Sequence, residues 1–181
     1  MIRAFLGLAL PAEIRGALQL QQFLLPLPRK VEPESLHLTL VFLGECPEPA
    51  LEAAHEGFLG LREPGFSLVL EGFGLFGKGK PHCAWAGVQS SPALGHLQAK
   101  VETIARRAGC PVDARKFTPH VTLGRFPVPE PAETARLERA IAMTPFTAGP
   151  WEVDEMVLWQ SLPGRKSNPY EVLARYPLSP P

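Results

Sequence analysis

The chain has few of the residues that crosslink a fold or ligate a metal. Three cysteines, Cys46, Cys83 and Cys110, are scattered through 181 residues with no Cys-x-x-Cys pair, which excludes the usual zinc and redox signatures and reads as reduced, mostly buried thiols of a cytosolic protein. Neither charge sign prevails, with 18 basic against 18 acidic residues. No global field therefore draws the protein to nucleic acid or to an anionic membrane, and any anion-binding surface must be local. No segment approaches the roughly 18 to 20 apolar residues that span a bilayer. The opening "MIRAFLGLAL" carries Arg3 and an apolar run that stops at Pro11, short enough to be a buried first strand rather than a secretory signal. Asn168 is the only asparagine, and prolines number 21. Rigid loops and few labile amides suit a heat-stable protein, although a codon bias toward Pro, Ala, Gly and Arg explains the same composition.

What the chain does have is one pattern twice. "HLTL" occupies residues 37–40 and "HVTL" residues 120–123. Two His-x-Thr matches among five histidines arise by chance about one time in a hundred, and the matching apolar flanks lower that further. Alternation and β-branched or aromatic content predict strands over 2–9, 36–43, 66–73, 82–88, 119–126, 151–161 and 170–177. Helices fit between several of them. Pro11 opens a segment with Ile14, Leu18 and Leu25 on one side; Leu51, Ala54, His55 and Phe58 share a face of the next. Ser91-Pro92 starts a third helix, striped by Leu94, Leu97, Val101, Ile104 and Ala108 and stopped at Gly109, and a fourth runs from about Pro131 to Ala142.

In order, each half reads strand, helix, strand with His-x-Thr, helix, strand. Ile2 to His37 is 35 residues and Cys83 to His120 is 37, so each motif sits at nearly the same depth. The expectation is an α+β fold in a single domain 1–181. It consists of two pseudo-symmetric lobes, each an antiparallel sheet with helices packed outside, flanking a central cleft. The repeats span about 1–75 and 80–161, and a strand over 168–178 closes the chain.

On a strand, His37 and Thr39 point to one side while Leu38, Leu40 and Phe42 point to the core; His120 and Thr122 share a face likewise. An approximate two-fold brings both pairs to one cleft. Two imidazoles supply acid and base near neutral pH, and two hydroxyls donate to oxygens that gain charge. A phosphodiester meets both demands without a metal. A metal site on His37 and His120 would need a converging carboxylate or thiolate, and none lies at typical spacing. His55, His82 and His96 read as structural or solvated.

These residues resemble the 2H phosphoesterase superfamily, and within it the RNA 2′,3′-cyclic phosphodiesterases, also called 2′-5′ RNA ligases. "RAFLGLALP" is similar to that family's opening strand and turn, "LHLTLVFLGE" and "FTPHVTLGR" to its two motifs, and "LWQSLPGRKSNPYEVLARYPL" to its closing strand pair. The resemblance implies hydrolysis of a 2′,3′-cyclic phosphate at an RNA end to a 2′-phosphate, with reversible 2′-5′ joining in some members. It implies no cofactor, no metal, RNA ends as partners, no membrane, no obligate protein partner, a monomer and a cytoplasmic location. By the same resemblance His37 is the general acid and His120 the general base, and Thr39, Thr122 and Arg125 bind phosphate. Phe5 is a candidate for stacking on the base. Strict alternation turns Arg125 away from the His120 face; Gly124 offers a place for the strand to bend. The loops with Lys78 and Lys80, and with Arg165 and Lys166, are candidate RNA-backbone contacts. Two further readings stay open: a phosphodiesterase for a small cyclic nucleotide or nucleotide-sugar phosphate, and a non-catalytic RNA-binding protein.

Overall fold

A computed structural model describes residues 1–180. Eight strands and four α-helices follow in the order β1 (Ile2–Ala9), α1 (Ala12–Leu24), β2 (His37–Cys46), α2 (Glu48–Gly60), β3 (Phe66–Phe76), β4 (Cys83–Val88), α3 (Pro92–Arg107), β5 (His120–Arg125), α4 (Pro131–Met143), β6 (Thr147–Val153), β7 (Glu155–Ser161) and β8 (Tyr170–Pro177). The α+β class and the helix positions agree with the sequence reading. The single strand expected over 151–161 is two: β6 ends at Val153 and β7 begins at Glu155. They lie far apart in the sheet, β6 at one edge and β7 next to the strand at the other.

The two expected sheets are halves of one antiparallel sheet, ordered β6-β3-β4-β5-β2-β1-β7-β8. Its centre is narrow: β2 and β5 meet at one residue pair, Leu38 with Val121. Antiparallel register about that pair sets His37 across from Thr122 and Thr39 across from His120, which is the local two-fold the repeated motif implied. The division of the chain into repeats 1–75 and 80–161 does not coincide with the halves of the sheet. β3, from the first repeat, pairs with β4 and β6, whereas β7 pairs with β1 and β8. The first repeat thus lends β3 to the second half of the sheet, and the second repeat lends β7 to the first.

Helices cover one face. Ile14 and Leu18 of α1, Ala54 and Phe58 of α2 and Leu94, Leu97 and Val101 of α3 join Leu6, Leu8, Leu38, Leu40, Val121 and Leu123 in a common core. Ser91 caps α3 by accepting a hydrogen bond from the Leu94 amide at 3.2 Å, the local reason the helix starts there. Cys46 and Cys110 are buried free thiols with their Sγ atoms 3.1 Å apart. Burial and the neighbouring sulfur push the Cys110 thiol up to about 12, so it stays protonated. No helix among the described residues is long and apolar enough to cross a membrane.

Two irregularities in the ladders matter most. β1 pairs Gly7 with Thr39 but Leu6 with Val41, so Leu40 is an extra residue in β2. β4 pairs Trp85 with Thr122 but Ala84 with Gly124, so Leu123 is an extra residue in β5. Each bulge reverses the in-and-out parity of the residues after it. Leu38 holds the junction between the halves and is fully buried. Leu38→Ala is expected to lower unfolding free energy by about 3 kcal/mol, measured as a drop in the urea midpoint with an unchanged slope.

Candidate active site

The face of the sheet opposite the helices carries the motif side chains. His37 and His120 are held alike. The Nδ1–H of His37 donates to the Ser35 carbonyl at 2.7 Å and that of His120 to the Thr118 carbonyl at 2.7 Å. A carbonyl only accepts, so the proton is fixed on Nδ1 in both rings and each Nε2 is free for chemistry. The Nε2 of His37 lies 3.1 Å from the Thr39 hydroxyl.

Both rings are kept neutral. Burial lowers the His37 pKa to about 4, opposed by its bond to Ser35 and helped by the positive fields of Arg125 and His120. Burial, followed by Arg125, lowers that of His120. The charge of Arg125 thus acts on both imidazoles. Strict alternation would have turned it away; the bulge at Leu123 brings it back, and Cys83, its partner across the ladder, shares the face. The Cys83 thiol is buried, and burial raises its pKa.

The bulge at Leu40 corrects the expectation for Phe42. Leu40 and Val41 are both buried in succession, and Phe42 emerges 47% exposed, with its ring 6.1 Å from that of Phe5 on the His37 side. Phe42 follows His37 by five residues as Arg125 follows His120 by five. The two-fold-related positions carry an exposed aromatic ring and a guanidinium.

Phe5 lies beneath the site. It is 3% exposed, stacked on His37 at 4.7 Å and on Trp159 at 5.3 Å, so it has no free face and instead supports the imidazole. Tyr170 meets His37 edge-on at 5.2 Å. On the other side Phe76 meets His120 edge-on at 4.9 Å, with Trp85 at 6.0 Å. Sequence reading did not single out Trp159, Tyr170, Phe76 or Trp85. Alternation placed Trp85, Trp159 and Tyr170 on strands, and β3 runs on to Phe76 beyond the expected end at 73; no local signal says that β7 lies beside β1.

A cavity of about 360 Å³ opens beside His37, bounded by Arg15, Trp159, Arg165, Asn168 and Tyr170 among others. Arg165 reaches it from the basic loop expected to touch RNA, where Asn168 adopts a left-handed backbone with φ of 52°, a conformation asparagine tolerates better than most residues. Lys78 and Lys80 do not line it. The other histidines stay apart from the cleft: His55 bonds the Tyr176 hydroxyl at 2.7 Å, and His96, with a side chain 62% exposed, lies 3.4 Å from Glu63. Among the described residues, no three His, Cys, Asp or Glu side chains are grouped as a metal would require.

This geometry has relatives. Residues 10–165 match the model of the 2′-5′ RNA ligase superfamily. An RNA 2′,3′-cyclic phosphodiesterase of Geobacillus stearothermophilus is 31% identical over 157 residues, which are 85% of this chain. The chain spans about half the length of that relative, 49%. One of the same name from Archaeoglobus fulgidus is 34% identical over 146 residues, covering 80% of this chain and 81% of the relative. The crystal structure of Escherichia coli LigT complexed with 3′-AMP superposes with a TM-score of 0.78 at 29% identity, covering 98% of this chain and 97% of that one. Family model, relatives and fold agree, and the chain belongs to the 2′-5′ RNA ligase superfamily.

Proposed function

We propose that the protein hydrolyses a 2′,3′-cyclic phosphate at an RNA end to a 2′-phosphate. One observation carries the reading: two imidazoles with Nδ1 tied to backbone carbonyls present free Nε2 atoms on one sheet face beside a guanidinium. The names of the relatives and the 3′-AMP complex of LigT support the substrate class.

Surroundings favour distinct roles. His120 is the more open of the two rings and takes a proton from water as the water oxygen attacks phosphorus. His37 borders the nucleoside-sized cavity and gives a proton to O3′ as the P–O3′ bond breaks. Thr39, Thr122 and Arg125 hold the non-bridging oxygens, whose charge rises in the transition state. A 5′-hydroxyl that attacks phosphorus in place of water, with the same release of O3′, joins two RNA ends through a 2′-5′ linkage, and the return of O3′ to phosphorus cleaves it. No step in this scheme requires a metal. Phe42 offers the exposed ring on which a base stacks, and Phe5 keeps His37 in place.

Because His37 is neutral at neutral pH in the free protein, entry of the anionic phosphodiester has to raise its proton affinity. Either imidazole losing its required state stops the reaction, so kcat/KM is expected to peak between the His37 pKa of about 4 and the ordinary histidine value of about 6.5. The kcat profile shifts to higher pH. A kcat/KM maximum above pH 7 would contradict the proposed protonation states.

His37→Ala and His120→Ala should each reduce hydrolysis by at least about 100-fold with unchanged circular dichroism. Phosphorus NMR in the presence of chelator reads both the rate and the 2′ position of the product. Full activity in either variant removes that histidine from the mechanism, and dependence on added metal removes the metal-free scheme. Phe42→Ala should raise KM about tenfold with little change in kcat, in keeping with one lost stacking contact; an unchanged KM would place the base elsewhere.

A further inference from the structure

Among the described residues, only four polar or charged side chains are buried: Gln22, Ser35, Glu63 and Gln98. Ser35 supplies the carbonyl that holds His37, and Glu63 contacts Lys100. The two glutamines perform one task in mirrored places. Gln22 of α1 donates from Nε2 to the Leu123 carbonyl at 2.9 Å and to the Val31 carbonyl at 2.8 Å. Gln98 of α3 points its Nε2 at the Leu40 carbonyl, a longer contact of 3.5 Å, while donating to Glu102 at 2.7 Å. Leu123 and Leu40 are the extra residues of the two bulges. The helix of each repeat thus reaches the bulge in the motif strand of the other.

A bulge leaves backbone groups outside the ladder, and a buried carbonyl without a donor is costly. At Leu123 that carbonyl receives the Val31 amide at 2.9 Å as well as Gln22. The segment 29–31 lies directly on the bulge: a Cβ at Gly124 would come within 2.2 Å of the Arg29 carbonyl oxygen. One side-chain amide therefore ties that segment and the bulge together, two residues before Arg125.

We propose that Gln22 is a positioning residue for the reaction: by holding the Leu123 carbonyl, it fixes the bulge that turns the Arg125 guanidinium onto the His120 face. Gln98 performs the same task, with the longer contact, for Phe42. The kinetic consequence rests on the function proposed above; the geometric one does not.

The test is a double-mutant cycle. Gln22→Met keeps the length of the side chain and removes its amide. Arg125→Ala is expected to lower kcat/KM on a 2′,3′-cyclic nucleotide by about 100-fold, as for loss of one transition-state donor, and Gln22→Met by about tenfold. The double variant should be no slower than Arg125→Ala alone, because Gln22 has nothing left to position. Multiplying effects would overturn the proposal and leave Gln22 a purely structural residue.

A second readout needs no substrate. Arg125 holds the His120 pKa down, so NMR titration of the His120 ring should move upward in Arg125→Ala, part of the way in Gln22→Met, and no further in the double variant. A His120 titration left at its wild-type value in Gln22→Met overturns the proposal whether or not hydrolysis is detected. Absence of hydrolysis with the wild-type protein would overturn the proposed function and leave the titration to decide on Gln22. If the methionine variant does not fold, Gln22→Asn, one methylene too short to reach both carbonyls, is expected to give the same pattern with a smaller shift; its absence there also overturns the proposal.

Discussion

Two surplus residues, Leu40 and Leu123, set the character of the cleft. Without them the strands would alternate regularly, and both Arg125 and Phe42 would face the helices, one as a buried cation and the other as core. A cation in that position would have to be paired or hydrated at high cost. With the bulges, the same short sequences deliver a hydroxyl, an imidazole and a fifth residue to one face, and the leucines between them still reach the core. The repeated His-x-Thr is thus the visible part of a longer repeated backbone conformation, from the histidine to the residue five positions on.

Symmetry supplies the pair of imidazoles, and departures from it supply direction. Arg125 and Phe42 occupy related places and differ completely in chemistry. His37 is enclosed by Phe5, Trp159 and Tyr170, whereas His120 meets Phe76 and Trp85 and is more open. Enclosure of the first ring depresses its basicity to about 4, so its proton must come with a bound anion. A perfectly symmetric site would bind a phosphodiester in two equivalent orientations. This one distinguishes a wet end from a nucleoside-sized end.

Much of this was legible in the sequence because period-2 alternation is a strong signal wherever one face of a strand is buried. The shared face of His37 and Thr39 and of His120 and Thr122 follows from it, and the four helices follow from the 3.6-residue period and the cap signals. Alternation fails where the ladder gains a residue, and nothing in "LTLVF" or "VTLGR" marks the gain except, in the second, a glycine. Phe42 was therefore assigned to the wrong face, and Arg125 was left against the pattern. Strand order was hidden for a different reason. That β7 sits beside β1, putting Trp159 on Phe5, is a long-range pairing with no local trace. The same gap made one strand of β6 and β7 and offered Phe5 as an open stacking surface when its two faces are covered.

The exchange of β3 and β7 between the halves has a consequence for how the molecule comes into being. β2 bears the first motif and pairs with β1, yet their half of the sheet is finished only by β7 and β8, more than 100 residues on. The second half draws β3 from before its own motif in the same way. Contacts of such long sequence separation postpone their reward until most of the chain is in hand. The half with the first motif is discontinuous in the chain, whereas β3 to β6 form the other from one continuous stretch. A polypeptide emerging from the ribosome leaves the edge of β1 unpaired until β7 has been made.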